Sequence, residues 1–402
     1  MLEKIWATTV APVNSVKGAD FAMSFTNKKY FSLRSFVTTG IRTKAIMVLA
    51  CALPFGVQAS KKHDNASYQL TPVTYKQPLA KLGKRLFFDN RLSGDVSFSC
   101  ASCHIPSKGF SDGLSLSDAY GPLEGFRNTP TLINVASKSI WFHDGRMGTN
   151  LNDVVRDQLT DAIWMNMDMR IMQERSKQDP VYVEMFKQTL GQEPTNGGIR
   201  KALAEYLKSL QSKNVAFDQG ELSAQAKSGW QLFKGEGNCT SCHSGSLFTD
   251  EKAYNIGVAE APEIYNEPAR SAAFIAFNMF MGNENYMNLR ADPGASVQHH
   301  RYNADDFSSF ITPTLRELKY TAPYMHNGSA ESLKDAVNLH FSGKRISSLK
   351  NVSLSEEQVN NLVVFLEALS GDPLTGNDVV WPEDKPIRRS YPVIPDWQNV
   401  SN

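Results

Sequence analysis

Cys100-Ala101-Ser102-Cys103-His104 and Cys239-Thr240-Ser241-Cys242-His243 decide how this chain is read. Each is a C-x-x-C-H motif. Two thiols one helical turn apart can form thioethers with the two vinyl groups of a haem, and the next histidine then lies under the ring as the proximal iron ligand. Zinc and redox thiols are the competing readings. The motifs stand 139 residues apart (Cys100 to Cys239) and both end in histidine, which one shared zinc site does not require. A thioredoxin-like site needs one motif in a βαβ setting rather than two. Two covalently bound haem c groups are therefore expected.

The surroundings of the motifs repeat as well. Ala80-Lys81-Leu82-Gly83 with Leu86-Phe87 precedes the first, and Ala226-Lys227-Ser228-Gly229 with Leu232-Phe233 precedes the second. Phe110-Ser111-Asp112 is matched by Phe248-Thr249-Asp250. Thr129-Pro130-Thr131-Leu132 and His143-Asp144-Gly145 recur 183 residues later as Thr312-Pro313-Thr314-Leu315 and His326-Asn327-Gly328. A repeat of this length means two homologous domains. The second carries an insertion, because its TPTL follows the motif histidine by 69 residues (His243 to Thr312) against 25 in the first (His104 to Thr129).

Between these loops the pattern is helical. Ile199, Leu203, Tyr206, Leu207 and Leu210 share one face. Ser355-x-x-Gln358 is a capping box before the stripe Val359, Leu362, Val363 and Leu366, with Gly371 the expected stop. The expected fold is mainly α, with two homologous cytochrome c-like haem domains packed so that the haems lie near their interface. The expected boundaries are 60–218 for the N-terminal domain and 219–402 for the C-terminal one.

The 402 residues are 41% apolar and 21% charged, a globular composition. With 42 basic and 41 acidic residues the net charge is +1, which leaves no electrostatic footprint for nucleic acid or anionic membrane. Arg42 and Lys44 precede the apolar run Ala45 to Val57, and Gln58-Ala59 follows it. This reads as a secretory signal over 1–59, cleaved after Ala59, and the run is too short to anchor the chain in a bilayer. Such a signal is long, so the first residues, about 35 of them, are read as lying ahead of the true start. Without Cys51 the four remaining cysteines all belong to the two motifs. The expected location is the periplasm.

From Leu79 to about Gly371 the chain resembles the bacterial di-haem cytochrome c peroxidases and their relatives of the methylamine-utilisation (MauG) type. The resemblance rests on LGKRLFFDNRLS before the first motif, RNTPTLIN and HDGR after it, and TPTLRELKYTAPYMHNGS after the second. It implies that the N-terminal haem reacts with peroxide and the C-terminal haem relays electrons with a protein ligand on both sides. His104 and His243 match the proximal ligands. His340 stands where relatives place the relay haem's second ligand. No histidine lies between His104 and His143, so the first iron is expected to be open without prior reduction, with Tyr120 the alternative ligand.

The resemblance also implies an acid that moves a proton during O–O cleavage. Asp168 is the preferred candidate and Asp161 the second, with Gln158 at a polar pocket position. His143 fills the place of the family's inter-haem tryptophan, and Trp141, two residues earlier, is the candidate substitute as electron relay. Asn128, Thr321 and Pro323 match the family's calcium site between the domains, whose oxygen ligands plus water suit that ion. The expected activity is reduction of hydrogen peroxide to water with electrons from a small cytochrome c or cupredoxin, and the family implies a homodimer. The rivals are a MauG-type oxidase that modifies side chains of a partner protein, and a di-haem electron carrier without catalysis.

Overall fold

A computed structural model of the chain describes residues 66–148, 150–300, 304–342 and 352–374. The expected export signal over 1–59 lies outside the described residues. Among those described the fold is helical, with nine helices of nine or more residues: α1 (Gln77–Phe87), α2 (Leu151–Thr160), α3 (Met169–Lys177), α4 (Pro180–Leu190), α5 (Asn196–Ser209), α6 (Ala224–Lys234), α7 (Pro268–Phe280), α8 (Leu333–Ser342) and α9 (Glu356–Glu367). The single sheet is a two-stranded antiparallel pair, β1 (Ala253–Tyr254) with β2 (Phe310–Ile311). None of the described helices is long and apolar enough to cross a membrane.

Two helix crossings build two cores. On α1, Leu79, Leu82, Leu86 and Phe87 form one buried face, and α5 answers with Ile199, Ala202, Leu203 and Tyr206. The axes approach until backbone meets backbone: a Cβ added at Gly83 would lie 1.9 Å from the Ala202 carbonyl oxygen and 2.9 Å from Tyr206 Cβ. The second half repeats this contact. A Cβ at Gly229 of α6 would lie 2.0 Å from the Asn361 carbonyl oxygen of α9 and 2.8 Å from Phe365 Cβ. The repeated glycines of AKLG and AKSG thus share one cause, since only a residue without a side chain fits there. Around the first crossing pack Phe110, Leu159 and Phe186; around the second, Phe217, Trp230, Phe233, Phe248 and Phe365. Helix α9 opens with the expected Ser355–Gln358 capping box. It ends at Glu367, short of Gly371, whose missing side chain instead makes room for the Lys213 carbonyl.

The two cores do not divide the chain at 218. Val215 and Phe217 already belong to the second core, and Tyr68 leaves the first half to pack on Trp230 and Phe248. The buried Arg316 guanidinium holds it there by donating to the Tyr68 carbonyl at 2.6 Å and pairing with Asp218 at 2.8 Å.

The insertion in the second half forms a third apolar cluster that bridges to the first. Phe274 and Phe277 of α7, with Ile264 and Val297, enclose Phe126 and Leu116. Beside them, buried Arg127 donates to Asp292 of the insertion twice at 2.7 Å and to Asp144 at 2.6 Å. A buried charge costs several kcal/mol unless fully paired, and this one is. Arg270 of α7 adds an ion pair to Glu124 at 3.0 Å and donates to the Ser117 and Gly125 carbonyls.

Candidate di-haem site

Both C-x-x-C-H motifs end in the same backbone device. The His104 amide donates to the Cys100 carbonyl and the His243 amide to the Cys239 carbonyl, each at 2.9 Å. The chain then turns back so that His104 Nδ1 meets the Phe110 carbonyl at 2.9 Å and His243 Nδ1 the Phe248 carbonyl at 3.0 Å. Phe110 and Phe248 reach these places in the left-handed region, at φ 58° and 55°. Thr131 Oγ1 donates to the Gly109 carbonyl and Thr314 Oγ1 to that of Leu247, so the TPTL motifs brace the two turns. A ring that donates through Nδ1 leaves Nε2 as the free lone pair, the form a metal binds. Burial lowers both imidazole pKa values, that of His243 to about 4 with help from His340, which keeps the rings neutral.

In the second half the histidine faces a partner. His340 of α8 lies with its ring centroid 6.3 Å from that of His243, and its Nδ1 is engaged by the Ala336 carbonyl at 2.7 Å. Imidazole nitrogens bind first-row metal ions at about 2 Å, so two rings sharing one ion put their nitrogens about 4 Å apart. Adding the step from nitrogen to ring centre on each side reproduces the observed spacing. These rings border a cavity of about 620 Å³, which Cys239, Cys242, Phe233, Leu315 and Leu362 also line. The residues fit a covalently attached haem. Burial pushes the Cys100, Cys103 and Cys239 thiols of the free chain up to about 12, which keeps them protonated there.

The first half carries a helix equivalent to α8. Asn150 caps α2 by accepting from the Asp153 amide, as Ser332 Oγ accepts from the Asp335 amide before α8. Leu151, Asp153 and Val155 then match Leu333, Asp335 and Val337, and Gln158 falls where His340 stands. The Gln158 side-chain nitrogen is buried without a hydrogen-bond partner. Such an orphan donor points to a group that the protein atoms do not supply. A side-chain amide can donate to an oxygen ligand and ligates iron poorly, so the residue at this position differs in chemistry from His340.

A family model described as di-haem cytochrome c peroxidase matches residues 77–227. A cytochrome-c peroxidase (IdrP2) of Denitromonas iodatirespirans is 43% identical over 330 residues, covering 80% of this chain and 85% of that protein. The chain belongs to the di-haem cytochrome c peroxidase family. The methylamine utilization protein MauG of Methylorubrum extorquens is 35% identical over 305 residues, 73% of this chain and 78% of its own. In fold the chain is similar to the crystal structure of a MauG-like protein associated with microbial copper homeostasis, with TM-score 0.64, 21% identity, and coverage of 78% of this chain and 96% of that one.

For a di-haem peroxidase the remaining expected residues divide sharply. Asp168, the preferred acid, is exposed: it caps α3, accepting from the Arg170 and Ile171 amides, and pairs with the Arg170 guanidinium at 3.0 Å. These bonds depress it to about 2, so its carboxylate has no proton to give near neutrality. Asp161, at the end of α2 and one turn beyond Gln158, is mostly buried, and burial raises its pKa despite the Ile163 amide bonded at 2.8 Å. Trp141 does not border the cavity; its indole donates to the Val135 carbonyl and packs in the first core. His143 does line it, its Nε2 held by the Asn128 carbonyl at 2.9 Å. Asn128, Thr321 and Pro323 line the same cavity, and Asn128 Nδ2 donates to the Leu114 carbonyl at 2.6 Å. The Tyr120 hydroxyl and the Asn166 carbonyl both stand against Gly94.

Proposed function

We propose that this chain is a periplasmic di-haem c-type peroxidase that reduces hydrogen peroxide to water with electrons from a small cytochrome c or cupredoxin. The observation that carries the reading is the contrast between matched sites: His243 faces His340, while the position equivalent to His340 in the first half is Gln158. A closed site suits electron relay and an open one suits a reacting ligand. The two halves, 60–218 and 219–402 with Tyr68 and Val215–Phe217 joined to the second, would each hold one haem near their interface. When bound, the haem on Cys100 and Cys103 supplies the iron at which the O–O bond is reduced.

The chain's own residues do the rest. His104 is aimed by the Phe110 carbonyl. The unpartnered Gln158 side-chain N–H would serve as a hydrogen-bond donor to peroxide. Asp161, whose pKa burial raises, would be the group that passes a proton to the departing oxygen, a role worth about 10²–10⁴ in rate. The two half-sites are held in register by the Asn128 amide on the His326 carbonyl at 2.7 Å and the Ile311 amide on that of His143 at 2.8 Å. Calcium on Asn128, Thr321 and Pro323 would brace the same wall. A MauG-type oxidation of a partner protein is the second reading, favoured by the 35% identity to that protein and by a relay ligand that is not methionine.

The test is the protein matured in a host that assembles c-type cytochromes. It should carry two porphyrins by mass, show one low-spin and one high-spin ferric iron, and oxidise reduced cytochrome c on addition of peroxide. Two low-spin irons inert to peroxide would refute the proposal. A long-lived oxidised state that ignores cytochrome c would favour the MauG-type reading.

A further inference from the structure

Tyr254 on β1 lines the cavity of the second site and is at the same time 36% exposed to solvent. Its phenol donates to Asp250 Oδ2 at 2.8 Å. Cys242 lines the same cavity. The pairing of Ala253 with Ile311 and of Tyr254 with Phe310 fixes the backbone from which the ring projects. A phenol is the side chain most readily oxidised by one electron when a base stands ready for its proton. Here the base and the solvent meet on one ring that borders the cavity of the haem attachment point. Nothing in the peroxidase reading uses this residue.

We propose that Tyr254 is a redox residue linking the C-terminal haem to the surface, oxidised to a phenoxyl radical when peroxide arrives without a reduced donor. The proposal rests on the reading of Cys242 as a haem attachment. Starting from protein with only its relay iron reduced, peroxide needs two electrons. One comes from that iron, ferrous to ferric, and the other from Tyr254. The phenolic O–H bond breaks, its proton passes to the Asp250 carboxylate, and two solvent protons complete two waters from the peroxide. A reduced redox protein docking at the exposed ring restores the phenol with one electron, and Asp250 returns the proton.

The experiment adds one equivalent of peroxide to the half-reduced holoprotein without donor, freezes it rapidly and records electron paramagnetic resonance. In parallel a nitroso spin trap is added and the tryptic peptides are weighed. A tyrosyl signal in the wild type, lost in Tyr254→Phe and diminished in Asp250→Asn, is expected, with the trap adduct on Tyr254. No tyrosyl signal in the wild type, an undiminished one in Tyr254→Phe, or an adduct confined to other tyrosines overturns the proposal. The trap needs no variant, so a misfolded substitution leaves the answer intact. Porphyrin mass on the Cys239–Cys242 peptide keeps the haem reading separate: present without the radical, only this proposal falls; absent, both do.

Discussion

Replacing Gly229 with alanine should loosen the second haem site from a distance. The added Cβ would lie 2.0 Å from the Asn361 carbonyl oxygen, short of the 3.4 Å at which ordinary contact begins. The obstacle is the backbone of a packed helix, which cannot rotate aside as a side chain can, so α6 and α9 must part by about 1.4 Å at the crossing. Overpacking of this kind costs about 1–3 kcal/mol, and a rigid neighbour puts it near the upper end. Alanine's better helix propensity returns about 1 kcal/mol. The net loss of about 2 kcal/mol lowers the melting temperature by about 4–8 °C in a domain of this size. Phe233 of α6 and Leu362 of α9 line the cavity, so the Soret band should broaden before global unfolding. Thermal melts followed by far-ultraviolet dichroism and Soret absorbance test this. Gly83→Ala should behave alike through Ala202, whereas Gly197→Ala, with nothing within 4 Å, should leave the melt unchanged or raise it. A Gly229→Ala protein that melts with the Gly197→Ala control would refute the close-approach argument.

His340→Ala should turn the relay iron from low-spin to high-spin while both porphyrins stay attached, and an unchanged ferric spectrum would remove His340 as ligand. Asp161→Asn should slow the reaction with peroxide by about 10²–10⁴-fold. Asp168→Asn should leave that rate alone, and stopped-flow traces showing the reverse order would restore Asp168 as the acid. Asp144 sets an acid limit on stability. Burial opposes its charge, but Arg146 and Arg127 outweigh that and hold it at about 2 against the usual 3.8. A depressed carboxylate stabilises the fold above its unfolded pKa, so about 2 kcal/mol is present above pH 4 and is lost as pH falls toward 2. Urea titrations across that window should show the loss; a flat profile would sink the assignment.

The two C-x-x-C-H motifs were legible because haem attachment would fix both spacing and residue type, leaving few alternative readings. The repeated Phe-Ser-Asp and Phe-Thr-Asp were visible as letters, but their cause, a left-handed phenylalanine offering its carbonyl to the histidine ring, is a property of the backbone. The equivalence of Gln158 and His340 was hidden because the repeat offset changes from 183 at His143 and His326 to 182 at Leu151 and Leu333. That Asp168 caps a helix was hidden for a related reason: an acid just ahead of an amphipathic stretch suits a helix cap as well as a pocket, and only its neighbours tell which. Tyr68 crossing to the second core and α7 folding over Phe126 are long-range contacts, which periodicity along the chain does not encode.

If one position decides which site is closed, exchanging its residue should close the other. Gln158→His places an imidazole eight residues after the Asn150 cap, as His340 stands eight after Ser332. The carbonyl that engages Nδ1 in the second site, Ala336, has its counterpart in Val154, whose side chain is buried in the same core that positions α2. The new ring therefore inherits both the helix face and the acceptor that orient His340, and its Nε2 points where the orphan amide nitrogen pointed. The first iron should become low-spin and its reaction with peroxide should fall to the level of the second, while the relay haem keeps its spectrum. Persisting high-spin iron with full peroxide reactivity in a folded Gln158→His protein would mean that α2 and α8 do not present equivalent faces, and the division of labour between the halves would need another cause.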